Sequence, residues 1–121
     1  QDSKHHEDAL SVREAELSMM RRLGAPEEEV LVTQSNLAGI YNSLGRYNEA
    51  LRMQRDVYSG QLRLHGEENP LTLRDANNYA TALGDLQRFK EAKSLLLKVM
   101  PVARRVLGEN DRLMLKMRWA Y

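Results

Sequence analysis

Residues 35–54 read SNLAGIYNSLGRYNEALRMQ and gather Asn36, Tyr41, Asn42, Arg46, Tyr47 and Glu49. Carboxamides, phenols and an acid–base pair of this kind can line an active site, orienting a substrate and moving a proton. The same residues could equally punctuate a structural repeat. Elsewhere the chemistry is thin. His5 and His6 are adjacent, so on a helix they point about 100° apart and cannot share a metal as i, i+4 ligands could. Glu7 and Asp8 beside them read as an exposed charge cluster, and His65 stands alone at a helix end. There is no cysteine nucleophile, no G-x-S-x-G and no phosphate-binding glycine loop. The PEEE at 26–29 fits the acidic first turn of a helix, where it complements the macrodipole. No acid and base are tied to a common pocket, so the chain reads as a non-enzyme with no metal or cofactor.

The elements that carry these residues are helices. The chain has 121 residues, enough for one ordinary domain, with 42% hydrophobic and 29% charged residues. Eighteen basic against 17 acidic residues leave a formal charge of +1, without the basic excess of a phosphate-binding domain, so no nucleic-acid partner is expected. Absence of cysteine removes disulfides and thiolate zinc sites and suits a reducing, cytoplasmic setting. No apolar run is long enough to span a bilayer, and no membrane partner is expected. The first residue is Gln and the last residues are KMRWAY, inside an apolar pattern. The sequence is therefore read as an excerpt of a longer protein.

Amphipathic segments predict helices near 5–23, 27–44, 47–65, 70–86, 89–107 and 111–121. The clearest places Phe89, Ala92, Leu95, Leu96, Val99, Val102, Ala103, Val106 and Leu107 on one helical stripe. Gly108 is its expected stop and Asp111 the next N-cap; Asn69 and Pro70 give the same signal earlier. Tight breaks at Gly45-Arg46 and Gln87-Arg88 force antiparallel neighbours. Pro101 lies inside the last long pattern and predicts a kink rather than a break.

Shifting the chain by 42 residues exposes an internal repeat. Identities fall at Gly24/Gly66/Gly108, Leu31/Leu73/Leu115, Asn36/Asn78, Ala38/Ala80, Leu44/Leu86, Arg46/Arg88, Glu49/Glu91, Ala50/Ala92 and Val57/Val99, with Tyr47 matched by Phe89. These are helix contacts and helix ends. Each unit is a helix hairpin with small residues, Ala38 and Ala50 or Ala80 and Ala92, where its helices cross. Tyr47 and Phe89 are expected beside them as buried wedges, with Tyr41 and Tyr79 also in the core.

The pattern NLA…LG-R-Y-N-EA, echoed by NYA…LQ-R-F-K-EA, resembles the tetratricopeptide repeat. The 42-residue period, RLHGEENPLTL between units and the NN of Asn77-Asn78 are similar to kinesin light chain repeats. This resemblance implies an all-α, right-handed solenoid of antiparallel hairpins with about six helices. It divides the chain into a second helix at 1–24, full repeats at 25–66 and 67–108, and a first helix at 109–121.

The same resemblance implies a protein-interaction module that binds an extended peptide or partner helix along a concave groove. Its candidate groove residues are Ser35, Asn42, Arg74, Asn77, Thr81, Lys116 and Trp119, with Val32, Gly39, Ser43 and Asp85 also facing it. Asn77 could hold a peptide backbone through both its donor and its acceptor. Kinesin light chains take acidic peptides that carry a tryptophan; Arg74 and Lys116 suit that chemistry, while Asp85 opposes it. Two other readings are a structural or oligomerising segment and a regulatory arm of a larger signalling NTPase. Uncapped ends should leave Leu113, Met117 and Tyr121, and Leu10, Leu17 and Met20, exposed and prone to self-association.

Overall fold

The computed structural model describes the backbone of residues 2–120; residues 1 and 121 and the side chains of residues 2, 3, 6, 119 and 120 lie outside the description. Six helices follow in order: α1 (Asp2–Leu23), α2 (Glu27–Ser43), α3 (Tyr47–His65), α4 (Pro70–Asp85), α5 (Phe89–Leu107) and α6 (Arg112–Ala120). No strand occurs among the described residues. The helices are those that the apolar periodicity predicts, and the fold is a helical repeat. Contacts group the chain into two compact units, Gln1–Gly60 and Gln61–Tyr121.

Helix ends repeat as faithfully as the residues that make them. Gly45 N–H donates to Asn42 O at 3.0 Å and Arg46 N–H to Tyr41 O at 2.8 Å. Forty-two residues on, Gln87 N–H donates to Gly84 O and Arg88 N–H to Leu83 O, both at 2.9 Å. This closure needs a left-handed residue, supplied by Gly45 at φ 75° in one turn and by Gln87 at φ 61° in the other. The looser breaks echo too: Asn69 and Asp111 each accept, through Oδ1, the N–H two residues ahead at 2.8 Å.

In the first unit α1 packs on α2. Leu10, Leu17, Leu37, Tyr41 and Ala50 form its core, with Val30, Ile40, Leu44 and Met53 closing the edges. Leu31 lies against the α3 backbone so closely that a Cβ on Gly60 would come within 2.7 Å of its Cδ2. Gly60 therefore weakens the helix intrinsically but admits a buried leucine. In the second unit α4 packs on α5, and α6 closes on both. Leu73, Ala76, Ala80, Leu83, Ala92, Leu96, Val99, Ala103, Met114 and Met117 are buried there.

Several sequence expectations change. Ala38, Ala50, Ala80 and Ala92 are all at most 1% exposed, but Tyr47 and Phe89 are 42% and 53% exposed and are not buried wedges. Each is the first residue of its helix. Side chains tilt toward a helix's N-terminus, so these rings project past the helix end over the turn. Tyr41 is buried as expected; Tyr79 is only half-buried.

Helix α5 runs unbroken through Pro101. Pro101 and Leu97, whose carbonyl the proline leaves without its helical donor, are both exposed, so water can satisfy that oxygen. The expected exposed ends are also misplaced. Leu10, Leu17 and Met117 are buried, Met20 and Leu113 are half-buried, and Tyr121 lies outside the described residues. Among the described residues, the large apolar side chains that face solvent on α1, α5 and α6 are instead Val12, Met19, Leu23, Phe89, Leu97, Val106 and Leu115.

Two stability outcomes follow from this geometry. Gln87→Gly should stabilise the chain by about 1 kcal/mol and so raise the urea midpoint, because glycine takes the left-handed conformation without strain; an unchanged or lower midpoint would refute the strain. Gly60→Ala should be neutral or destabilising in the native background. Once Leu31→Ala has removed the clash, the same change should stabilise by about 1 kcal/mol through helix propensity. A double-mutant cycle with no coupling would show that Leu31 does not constrain position 60.

Candidate functional site

Helix periodicity splits α2 and α4 into a buried and an exposed stripe at the same register. On α2, Leu31, Gln34, Ala38 and Tyr41 are buried while Val32, Asn36, Gly39 and Ser43 are exposed. On α4, Leu73, Ala76, Ala80 and Leu83 are buried while Arg74, Thr81 and Asp85 are exposed and Asn78 is half-buried. Lys116 continues the Val32/Arg74 position on α6 and is exposed.

The candidate groove residues divide accordingly. Arg74, Thr81 and Lys116 lie on this open stripe, with Val32, Gly39, Ser43 and Asp85. Ser35 and Asn42 are half-buried, and Asn77 is buried at 9% exposure. Asn42 Oδ1 is enclosed and has no hydrogen-bond donor among the described residues. The Trp119 side chain lies outside the description. Asn36 and Asn78 thus stand closer to the open stripe than Ser35 and Asn77, and their identity across the repeat was the signal that could have marked them.

Several stripe residues are held in place by their own helix. Thr81 Oγ1 donates to Asn77 O at 2.9 Å, and Ser43 Oγ donates to Gly39 O at 3.1 Å. Arg74 is tied to Asp75, its Nε and Nη2 donating to Oδ1 and Oδ2 at 3.2 and 3.4 Å. Asn78 Nδ2 reaches the same carboxylate at 3.4 Å. Asp75 is fully buried, and sequence reasoning missed it. Its register mates, Thr33 and Met117, are buried too, but one is polar and the other apolar, so the position carries no pattern.

The opening stretch resolves into a closed polar cluster. Tyr41 Oη donates to Glu14 Oε2 at 2.8 Å, and the Arg46 guanidinium carbon lies 5.0 Å from the Tyr41 ring centroid. Arg46 donates from Nε and Nη2 to both Glu49 oxygens at 2.6 Å, as Arg88 does to Glu91 at 2.7 and 2.8 Å. The paired guanidiniums hold the Glu49 and Glu91 carboxyls below the usual carboxylate range. Burial first, and the Glu14 hydrogen bond second, push the Tyr41 phenol up to about 12. The acid–base pairs of the opening stretch are thus bonded to one another. Among the described residues there is no group of acidic and histidine side chains that could hold a metal, and no helix is long and apolar enough to cross a membrane.

Two concavities mark the second unit. A shallow one of about 560 Å³ lies between α4 and α5, lined by Tyr79, Leu83, Lys90, Ser94, Leu95 and Lys98 among others. A smaller cleft of about 200 Å³ lies between α5 and α6, with Leu96, Leu97, Met100 and Met117 as lining and Lys93 and Arg118 at its rim. Neither is lined by Arg74, Asn77, Thr81 or Lys116.

Comparison with known proteins agrees with this architecture. A family model described as Tetratricopeptide repeat matches residues 29–105. No curated protein matches the sequence. The crystal structure of BtubC (BKLC) from P. vanneervenii superposes with a TM-score of 0.77 at 19% identity, over 93% of this chain and 45% of that one. The chain therefore spans less than half the length of this structural neighbour, and the likeness concerns the fold.

The raised Tyr41 pKa predicts an alkaline loss of stability. Unfolded, the phenol releases its proton near 10.0; folded, it does so near 12. Its contribution is therefore fully present below pH 10 and disappears as pH rises to 12. Denaturant midpoints of the native chain should fall more steeply across that window than those of Tyr41→Phe. Parallel curves would show that Tyr41 titrates normally.

Proposed function

Because the chain belongs to the tetratricopeptide repeat family, whose repeats are generally protein-interaction modules, we propose that it binds an extended peptide or partner helix on the open stripes of its first helices. The observation that carries this reading is the exposed polar stripe of α4, Arg74, Thr81 and Asp85 with Asn78 beside it. The helix buries its opposite face and leaves this one open. The stripe of α2, with Val32, Asn36, Gly39 and Ser43, offers a second contact surface in the first unit. In this reading residues 25–66 and 67–108 are full repeats, 1–24 a second helix and 109–121 a first helix, as the 42-step echo of turns and caps supports.

Arg74 and Lys116 favour an acidic ligand, as in the kinesin-light-chain-like reading. Arg74 keeps about half of its side chain exposed while the buried Asp75 anchors its guanidinium. A pre-positioned guanidinium loses less freedom when it captures a carboxylate. Asn77 is too enclosed to reach a ligand without a rotamer change, and Asn78 is better placed for a peptide amide.

Titration with an acidic, tryptophan-containing peptide library tests the reading. Joint replacement of Arg74, Asn78 and Lys116 by alanine should weaken a selected peptide at least tenfold, equivalent to about 1.4 kcal/mol or more. Binding that survives this replacement unchanged would place the ligand elsewhere. A chain that binds no peptide would end the peptide reading.

A further inference from the structure

We propose that the concavity between α4 and α5 is a second docking site, which takes an acidic amphipathic helix of a partner protein. It lies wholly within the second unit and shares no residue with the open stripes of α2 and α4.

Helical spacing brings three residues of α5 together there. Lys90, Ser94 and Lys98 stand at i, i+4 and i+8, line the concavity and are all exposed. Each lysine is one turn from Ser94, and the two lysines are about 12 Å apart along the helix axis. Apolar surface lies beside them, since Leu95 is half-buried and Leu83 of α4 is 2% exposed. The concavity is about 560 Å³ and shallow. A helix laid across it buries that surface better than a small ligand, which needs an enclosing pocket.

Charge decides the occupant. Glu91, the acidic residue of the lining, accepts from Arg88 on both oxygens at 2.7 and 2.8 Å and is thereby occupied. Lys90 and Lys98 form no ion pair among the described residues. Two unpaired ammonium groups about an apolar strip call for two carboxylates about an apolar side chain. A partner helix supplies these with acidic residues seven apart, about 10.5 Å along its axis, and leucine between them.

The repeat shows that the scaffold does not require this chemistry. Forty-two residues earlier Glu49 matches Glu91 and the apolar Met53 matches Leu95, so the turn clamp and the apolar strip are shared. Asn48, Arg52 and Asp56 stand where Lys90, Ser94 and Lys98 do, and the pair of lysines is gone. The basic pair is thus a property of one repeat, as a specific contact requires.

Fluorescence anisotropy with a labelled, hydrocarbon-stapled helix tests the site. The probe carries two glutamates seven residues apart with leucines between them. The 121-residue chain should bind it saturably, and more weakly as salt is raised. Joint Lys90→Ala and Lys98→Ala should weaken binding at least tenfold. Joint Lys90→Glu and Lys98→Glu should instead prefer the same helix with lysines in place of its glutamates. Joint Arg74→Ala and Lys116→Ala should leave binding of the probe unchanged, which separates this site from the peptide stripe. All four positions are exposed, so circular dichroism should show full helix content in every variant. A native chain that does not bind the probe, or Lys90/Lys98 variants that bind it as tightly as the native chain, would overturn the proposal. So would equal binding of a probe with one glutamate replaced by alanine, or a loss of binding in the Arg74/Lys116 variant.

Discussion

Everything in this molecule depends on reversing the chain within three residues. Between α2 and α3, and again between α4 and α5, three non-helical residues must turn the backbone around and satisfy the last carbonyls of the helix before them. Only a left-handed residue does both, and the helices that follow have no choice but to run antiparallel and close. Close approach in turn demands alanine at the crossings and glycine where Leu31 lands on α3. Arg46 and Arg88, the last residues of each turn, then reach Glu49 and Glu91 in the first helical turn ahead and clamp the reversal from outside. These ion pairs, one half-buried and one exposed, lie at the surface and contribute little stability individually, and their repetition marks a shared turn geometry within one chain.

Elements and caps were legible because each has a local cause. Periodicity of apolar residues defines the helices, and Gly45, Gly66, Asn69, Gly108 and Asp111 end or start them through single-residue conformational preferences. Repetition at 42 residues made this evidence cumulative, since a degenerate motif that occurs twice in phase is far more specific than either copy. Gln87 alone broke the rule. It takes a glycine's conformation at φ 61° because the surrounding turn leaves no alternative.

What was not legible is what depends on direction and depth rather than on type. Tyr47 and Phe89 match in sequence and look like core, yet their place at the first position of a helix points them over the turn. Leu10, Leu17 and Met117 were expected to be exposed but are buried, because α1 packs on α2 and α6 packs on α4 and α5. Asp75 is hidden in a register whose other members are threonine and methionine, and no pattern of residue types announces a fully buried carboxylate there. The groove candidates suffered the same ambiguity: one step along the helix separates the enclosed Asn77 from the more open Asn78.

The hydrogen bond from Tyr41 to Glu14 has a meaning that concerns errors. Repeats that share their turns and crossing residues offer a folding chain several surfaces of similar shape, and a helix can dock against the wrong one. Tyr41 has no counterpart 42 residues on, where Leu83 stands. Were α1 to settle on α4, Glu14 would meet a leucine and find no hydroxyl, and a hydrogen bond worth about 1 kcal/mol net would be missing. The phenol thus acts as an address label, which tells the first helix where in the series it belongs.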